Sequence, residues 1–231
     1  ARLENIPVVS IAAVVQHNTS GFASLKKAGI STPADFEGKK YGGWGSPVEE
    51  ATIKALAKRF GADFNKIEII NTGEADFFTI IEHLADFAWI YYGWNGIEAE
   101  LKGLELNFIE LTELDPALDY YTPVLIASES LINERPDLVE KFMRATTKGY
   151  QLAINNPEEA AEILLDNAPE LDRELVMASQ QWLADKFQAG AKKWGWQEKS
   201  TWENYTRWLY DNHLIEEIPE LERAFTNEFI P

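Results

Sequence analysis

Between Lys39 and Glu110 the chain alternates short apolar runs with amphipathic stretches, and this alternation limits the possible folds more than any other feature. Lys39–Gly43 predicts a strand, followed by a helix over Pro47–Phe60. Ile67–Asn71 ("IEIIN") predicts a second strand, with a helix near Ala75–Leu84. Asp86–Tyr92 ("DFAWIYY") predicts a third, followed by a helix near Gly96–Lys102 and by the strand "LNFIE", Leu106–Glu110. Strands joined through helices at this spacing make βαβ units, so the expectation is an α/β fold with a mainly parallel sheet and right-handed crossovers.

The flanks read differently. Ile6–Val15 ("IPVVSIAAVV") is too short to span a bilayer, contains Pro7 and lacks the charged start of a signal peptide, so it reads as a buried strand. Asp119–Ser128 ("DYYTPVLIAS") holds one more strand. Beyond it Pro136–Asn155, Pro157–Asn167, Asp172–Phe187 and Thr201–Asn212 carry apolar residues at helical spacing, with Asn156 expected as N-cap and Pro157 in the first turn. The expected division is an α/β ligand-binding lobe over residues 16–120, and a remainder made of residues 1–15 and 121–231.

In such a sheet, ligands bind beyond the carboxyl ends of the strands, where helix N-termini present free N–H groups. "YGGWGSPVEE" occupies that position. Ser46 is expected to cap the helix with Glu49 in an S-x-x-E box, while Gly43 and Gly45 let the backbone turn and project Trp44 over the sheet edge. "IYYGWNGIEAE" repeats the device: Tyr92 ends a strand, Gly93 turns, Trp94 precedes an expected N-cap at Asn95, and Glu98 follows three residues later. Trp44 and Trp94 would sandwich a flat ligand whose amino groups donate to Glu98, each ring stack contributing about 0.5–1.5 kcal/mol. The competing reading is that both indoles pack in a seam and both glutamates only cap. Two loops belong at the same edge: "QHNTSG", offering Asn18, Thr19 and Ser20, and "NTGEAD", Asn71–Asp76. Tyr121 in "DYY" reads as hinge, ligand wall or core. Trp202, Tyr205, Trp208 and Leu209 share one helical face, read as core, while Trp194 and Trp196 around Gly195 read equally as lid or packing.

Composition narrows the function classes. With 21 Lys+Arg against 38 Asp+Glu, net charge −17, the chain lacks the basic surface that nucleic acid or an anionic membrane requires. There is no cysteine, hence no disulfide and no thiolate nucleophile. His17, His83 and His213 lie far apart, and no H-E-x-x-H, G-x-S-x-G, G-x-G-x-x-G or P-loop spacing occurs. The expectation is a non-enzymatic protein with no metal and no cofactor.

"IPVVSIAAVVQHNTSGFASL", "FEGKKYGGWGSPVEEATIKAL", "DFAWIYYGWNGIEAELKG" and "DYYTPVLIA" together resemble the substrate-binding proteins of ABC importers for thiamine-pyrimidine precursors and related compounds. The same family contains the eukaryotic pyrimidine synthase of thiamine biosynthesis. The resemblance runs along essentially the whole chain. It implies a type II periplasmic-binding-protein fold: two lobes crossed near Val14–Asn18 and Asp119–Val124, a ligand cleft and hinge closure. It further implies ABC permease subunits as partners, an extracytoplasmic location and a small heteroaromatic ligand, pyrimidine- or riboflavin-like. The resemblance carries ligand contact onto Trp44 with its glycine turn and onto Trp94 and Glu98. The family's usual W-x-P-N-x-x-H-like opening is not found here. The first lobe is therefore expected to be incomplete at its N-terminal side, with weakened binding and self-association through the gap. Two alternatives remain, a synthase-like enzyme and a sensor domain of a signalling protein. The synthase branch uses a cysteine-rich iron motif, a histidine and a lysine, and the chain has no cysteine to match it.

Overall fold

The computed structural model describes residues 2–73 and 75–231; Glu74 in the "NTGEAD" loop and Ala1 lie outside the described residues. The chain divides into two compact units. Unit 1 comprises Ala1–Asn18, Asp119–Arg207 and Glu217–Pro231; unit 2 comprises Thr19–Leu118 and Trp208–Glu216.

Unit 2 is built on a five-stranded sheet of β2 (Ser20–Leu25), β3 (Lys40–Gly43), β4 (Glu68–Asn71), β5 (Phe87–Tyr91) and β6 (Leu106–Glu110), in the order β4-β3-β5-β2-β6. β3 runs parallel to both β4 and β5, whereas β2 runs antiparallel to both β5 and β6. The sheet is therefore mixed, four strands pointing one way with a reversed strand between two of them. β2 begins inside the segment read as a loop, Gln16–Gly21, and runs on through Phe22–Leu25, for which the sequence predicts no element. Four residues of its sequence, "SGFASL", are small, and burial runs through both faces, so it lacks the alternation that announces a strand. An aromatic core lies on one face: Phe22, Phe36, Tyr41 and Phe87 are all buried, with Phe36 stacked on Phe87 at 4.3 Å between ring centroids.

Helix α1 (Pro47–Phe60) matches its expected bounds, because Ser46 caps it, Pro47 opens it and Gly61 closes it in the left-handed conformation. It buries Thr52, Ile53, Leu56 and Ala57, the stripe its spacing predicts. The helix expected near Ala75–Leu84 is a short α2 (Phe77–Thr79) running into a π turn, Ile80–Leu84. α3 (Ile97–Leu101) likewise follows a π turn, Tyr92–Gly96; its cap position is Gly96 and makes no side-chain cap, so Asn95 is not the N-cap. α4 (Leu111–Leu114) follows β6.

Unit 1 holds a two-stranded antiparallel sheet, β1 (Val8–Ala13) with β7 (Val124–Ser128), packed against helices. These are α5 (Glu129–Glu134), α6 (Pro136–Asn155), α7 (Pro157–Asn167), α8 (Arg173–Ala184) and α9 (Lys199–Asp211), the last running on into unit 2. Its core gathers Ile11, Val14, Val15, Val139, Met143, Phe187 and Trp194. Trp194 is no lid: it is fully buried, stacks on Tyr150 at 4.1 Å and donates its Nε1–H to the Val14 carbonyl at 3.1 Å. Asn156 sits at the cap of α7 but makes no cap bond; its side-chain amide donates to Glu159 instead. Among the described residues, no helix is long and apolar enough to cross a membrane.

Candidate functional site

Strand register brings one set of loops to a single edge of the unit 2 sheet. Gly43 pairs with Asn71 and Gly42 with Ala88, so the carboxyl ends of β3, β4 and β5 lie together. β2 runs the other way and pairs Ser20 with Tyr91, which puts its start at that same edge, and the Tyr92 N–H donates to the Thr19 carbonyl at 3.0 Å. Gly21 pairs with Glu110, adding the end of β6. Thr19, the Gly43–Ser46 turn and the Tyr92–Trp94 turn therefore share one edge.

The turn is held by a buried carboxylate. Glu49 accepts from the Tyr41 hydroxyl at 2.5 Å, from the Ser46 N–H at 2.8 Å and from the Trp44 N–H at 3.2 Å. Ser46 Oγ accepts from the Val48 N–H, completing the expected capping box. Burial pushes the Tyr41 phenol well above its ordinary value, with Glu49 adding to the shift, so Tyr41 stays a donor. Both flanking glycines are required. A Cβ on Gly43 would lie 2.2 Å from Glu49 Oε1; Gly45 has φ +84° and a Cβ there would meet Asn71 Nδ2 at 2.4 Å.

Fixed in this way, Trp44 is 51% exposed, its ring 5.9 Å from that of Trp89 on β5. Trp94 is 38% exposed on the neighbouring π turn. The Tyr92 phenol donates to Glu100 and is pushed up to about 12 by burial and by that carboxylate. Glu98 pairs with Lys102 at 2.7 Å, one turn along α3, and Lys102 lies over the Phe78 ring at 3.8 Å. Asn18, Thr19 and Ser20 are buried rather than displayed on a loop, because the chain enters β2 at Ser20.

Unit 1 has a cavity of its own, about 310 Å³, whose walls include Gln16, His17, Asp119, Tyr121, Trp196 and Glu198. Segments distant in sequence are tied together around it. His17 Nδ1 and Asp119 Oδ2 are 2.7 Å apart, and Asp119 Oδ1 accepts from the Asn18 N–H at 2.9 Å. The Gln16 side chain donates to the Trp196 carbonyl at 3.1 Å, and Tyr121 Oη accepts from the Glu198 N–H at 2.9 Å. Tyr121 is thus a wall residue with its hydroxyl engaged. The sequence reading missed the His17–Asp119 pair and Trp89. "DYY" was the only signal for the first, and the tryptophan inside "DFAWIYY" the only one for the second. Among the described residues no group of three or more metal-ligating side chains occurs. Unit 2 thus presents an exposed indole on a preorganised turn, and unit 1, taken by itself, has a cavity lined by polar groups that are already hydrogen-bonded.

The family model described as NMT1/THI5 like matches residues 1–160. The chain is 29% identical over 236 residues to the formylaminopyrimidine-binding protein of Halalkalibacterium halodurans, covering 98% of this chain and 70% of that one. It is 23% identical over 232 residues to a 4-amino-5-hydroxymethyl-2-methylpyrimidine phosphate synthase of Legionella pneumophila, covering 100% and 72%. Among solved structures it resembles the ligand-binding component of an ABC-type import system from Staphylococcus aureus, at TM-score 0.70 and 14% identity, over 99% of this chain and 75% of that one. The fold is that of a type II periplasmic binding protein.

Proposed function

Because the chain belongs to the NMT1/THI5-like family, we propose that it is a non-enzymatic solute-binding receptor of an ABC importer, and that its ligand is a small aminopyrimidine-like heterocycle. The observation that carries this reading is the half-exposed Trp44, set on a glycine turn that a buried carboxylate holds rigid at the binding edge of the sheet. A rigid ring loses little freedom on binding, so its stacking energy goes into affinity. Trp94 and Tyr92 at the same edge, together with Glu98, supply the remaining unit 2 contacts. The names of two relatives, one binding a formylaminopyrimidine and one making a pyrimidine phosphate, support the ligand class. Its partners on this reading are ABC permease subunits, and its place is outside the cytoplasm.

Calorimetric titration of the 231-residue chain with 4-amino-5-hydroxymethyl-2-methylpyrimidine and with a formylaminopyrimidine tests the proposal. Trp44→Ala and Trp94→Ala are each expected to weaken binding tenfold or more, tenfold being about 1.4 kcal/mol. Unchanged affinity in both variants would remove the two-indole mechanism.

The synthase name of the Legionella relative favours a second reading, that of an enzyme. The chain offers no cysteine for the iron motif of the family's synthase branch, which weighs toward the receptor. We also propose that copies of the chain associate through unit 1, where Ile126 on β7 is 60% exposed and Phe142 on α6 is 52% exposed.

A further inference from the structure

Two tryptophans flank Gly195, and the fold separates them. Trp194 enters the core of unit 1, while Trp196 stays half-buried in the wall of the 310 Å³ cavity. The residue between them is fixed against β1. Gly195 has φ +85°, a Cβ there would lie 2.9 Å from Ile230 Cδ1, and its carbonyl accepts from the Ala13 N–H at 3.0 Å. Trp196 is then held at each of its polar atoms. Its backbone N–H donates to the Lys193 carbonyl at 3.3 Å, its carbonyl accepts from the Gln16 side chain, and its indole N–H donates to Glu198 Oε1 at 2.8 Å. With those atoms engaged inside unit 1, what Trp196 brings to the cavity is apolar ring.

Lys192 lines the same cavity, its ammonium 5.2 Å from the Trp196 ring centroid. Among the described residues that ammonium makes no hydrogen bond or ion pair, whereas His17 and Asp119 hold each other and Glu198 holds the Trp196 indole. Lys192 is exposed and its four-carbon stem is flexible, so an arriving ring can take its place over the indole and leave the ammonium a donor at that ring's edge. Both residues border open space, where a guest reaches them directly. A volume of about 310 Å³ stands at the small end of the range for ligand sites, about 300–1,000 Å³, and admits one substituted ring.

We infer that the unit 1 cavity is a ligand subsite in which Trp196 is the stacking surface and Lys192 donates a hydrogen bond to the guest. The guest is a single planar heterocycle with a ring nitrogen or carbonyl oxygen on its edge, since an ammonium offers three donors and no acceptor. A ring fixed before binding loses little freedom when a second ring stacks on it. This deepens the receptor reading and rests on it.

Isotope-filtered NOE spectra of the 231-residue chain with 4-amino-5-hydroxymethyl-2-methylpyrimidine test the subsite. Contacts are expected between the pyrimidine methyl protons and the Trp196 ring protons, the latter identified by their absence in Trp196→Leu. Calorimetric titration with the same pyrimidine should find Trp196→Leu about tenfold weaker than the parent chain and Lys192→Met about threefold weaker. If the pyrimidine contacts Trp44 but not Trp196, and both variants bind like the parent, the subsite is wrong and the receptor stands. Weaker binding in the variants without any contact at Trp196 overturns the subsite as well, because the residues would then act only through packing. Contact at Trp196 with full affinity in Lys192→Met overturns the assignment of Lys192. If no pyrimidine binds the parent chain, both readings fall. Should Trp196→Leu melt much lower than the parent, the contacts in the unsubstituted chain and the affinity of Lys192→Met decide the question.

Discussion

The Gly43–Ser46 turn of unit 2 and the cavity of unit 1 are assembled in opposite ways. The turn is written in nine consecutive residues, Tyr41–Glu49, within which every hydrogen bond to the Glu49 carboxylate closes, with Thr72 donating to the Gly43 carbonyl from outside. The cavity is gathered from Gln16 and His17, Asp119 and Tyr121, and residues between 189 and 201, held by contacts such as His17–Asp119 and Gln16–Trp196. A site of the first kind is specified by local chemistry and survives as a unit. One of the second kind exists only when distant segments have already come together, so its geometry depends on the packing of the whole unit.

That contrast can be broken by substitution. The largest effect is expected at Glu49, where Glu49→Ala strands the Tyr41 hydroxyl and two backbone N–H groups in a buried turn. A loss of roughly 3 kcal/mol in urea unfolding is expected, with Glu49→Gln losing about half as much. If Glu49→Ala unfolds like the parent chain, the turn is held by something other than its carboxylate. Asp119→Ala should cost less, about 1–2 kcal/mol, because it frees an exposed histidine and one backbone N–H. Its distinguishing sign is faster hydrogen exchange at Asn18 without change at Trp44 or Ser46; protection lost at all three would mean that the two sites are not independent. Smallest in stability is Ile126→Ser on the exposed face of β7, expected within about 0.5 kcal/mol of the parent. Light scattering should nonetheless show a lower apparent mass at high concentration, and an unaltered mass would rule out association through that strand.

The same contrast explains what was legible in the sequence. α1 was read to its exact bounds because Ser46, Pro47, Glu49 and Gly61 each signal locally. β6 and α6 were equally plain. β2 was not, since its small residues are buried by neighbours far along the chain rather than marked by their own pattern. Asn95 looked like a cap, but the π turn from Tyr92 carries the backbone into α3 without one. The face of α9 read as uniform core is divided: Trp202 and Tyr205 line a slot in unit 1, while Trp208 belongs to unit 2. His17 stood as a lone histidine because its partner lies 102 residues away.

The reversed strand in the unit 2 sheet has a consequence for biosynthesis. Ser20–Leu25 leaves the ribosome long before Phe87–Tyr91 and Leu106–Glu110, the two segments that flank it. At ordinary translation speeds its backbone groups wait on the order of ten seconds for those neighbours. During that interval the backbone donors and acceptors on both edges of this segment are unpaired, so the nascent chain should depend on a holding chaperone until residue 110 has emerged.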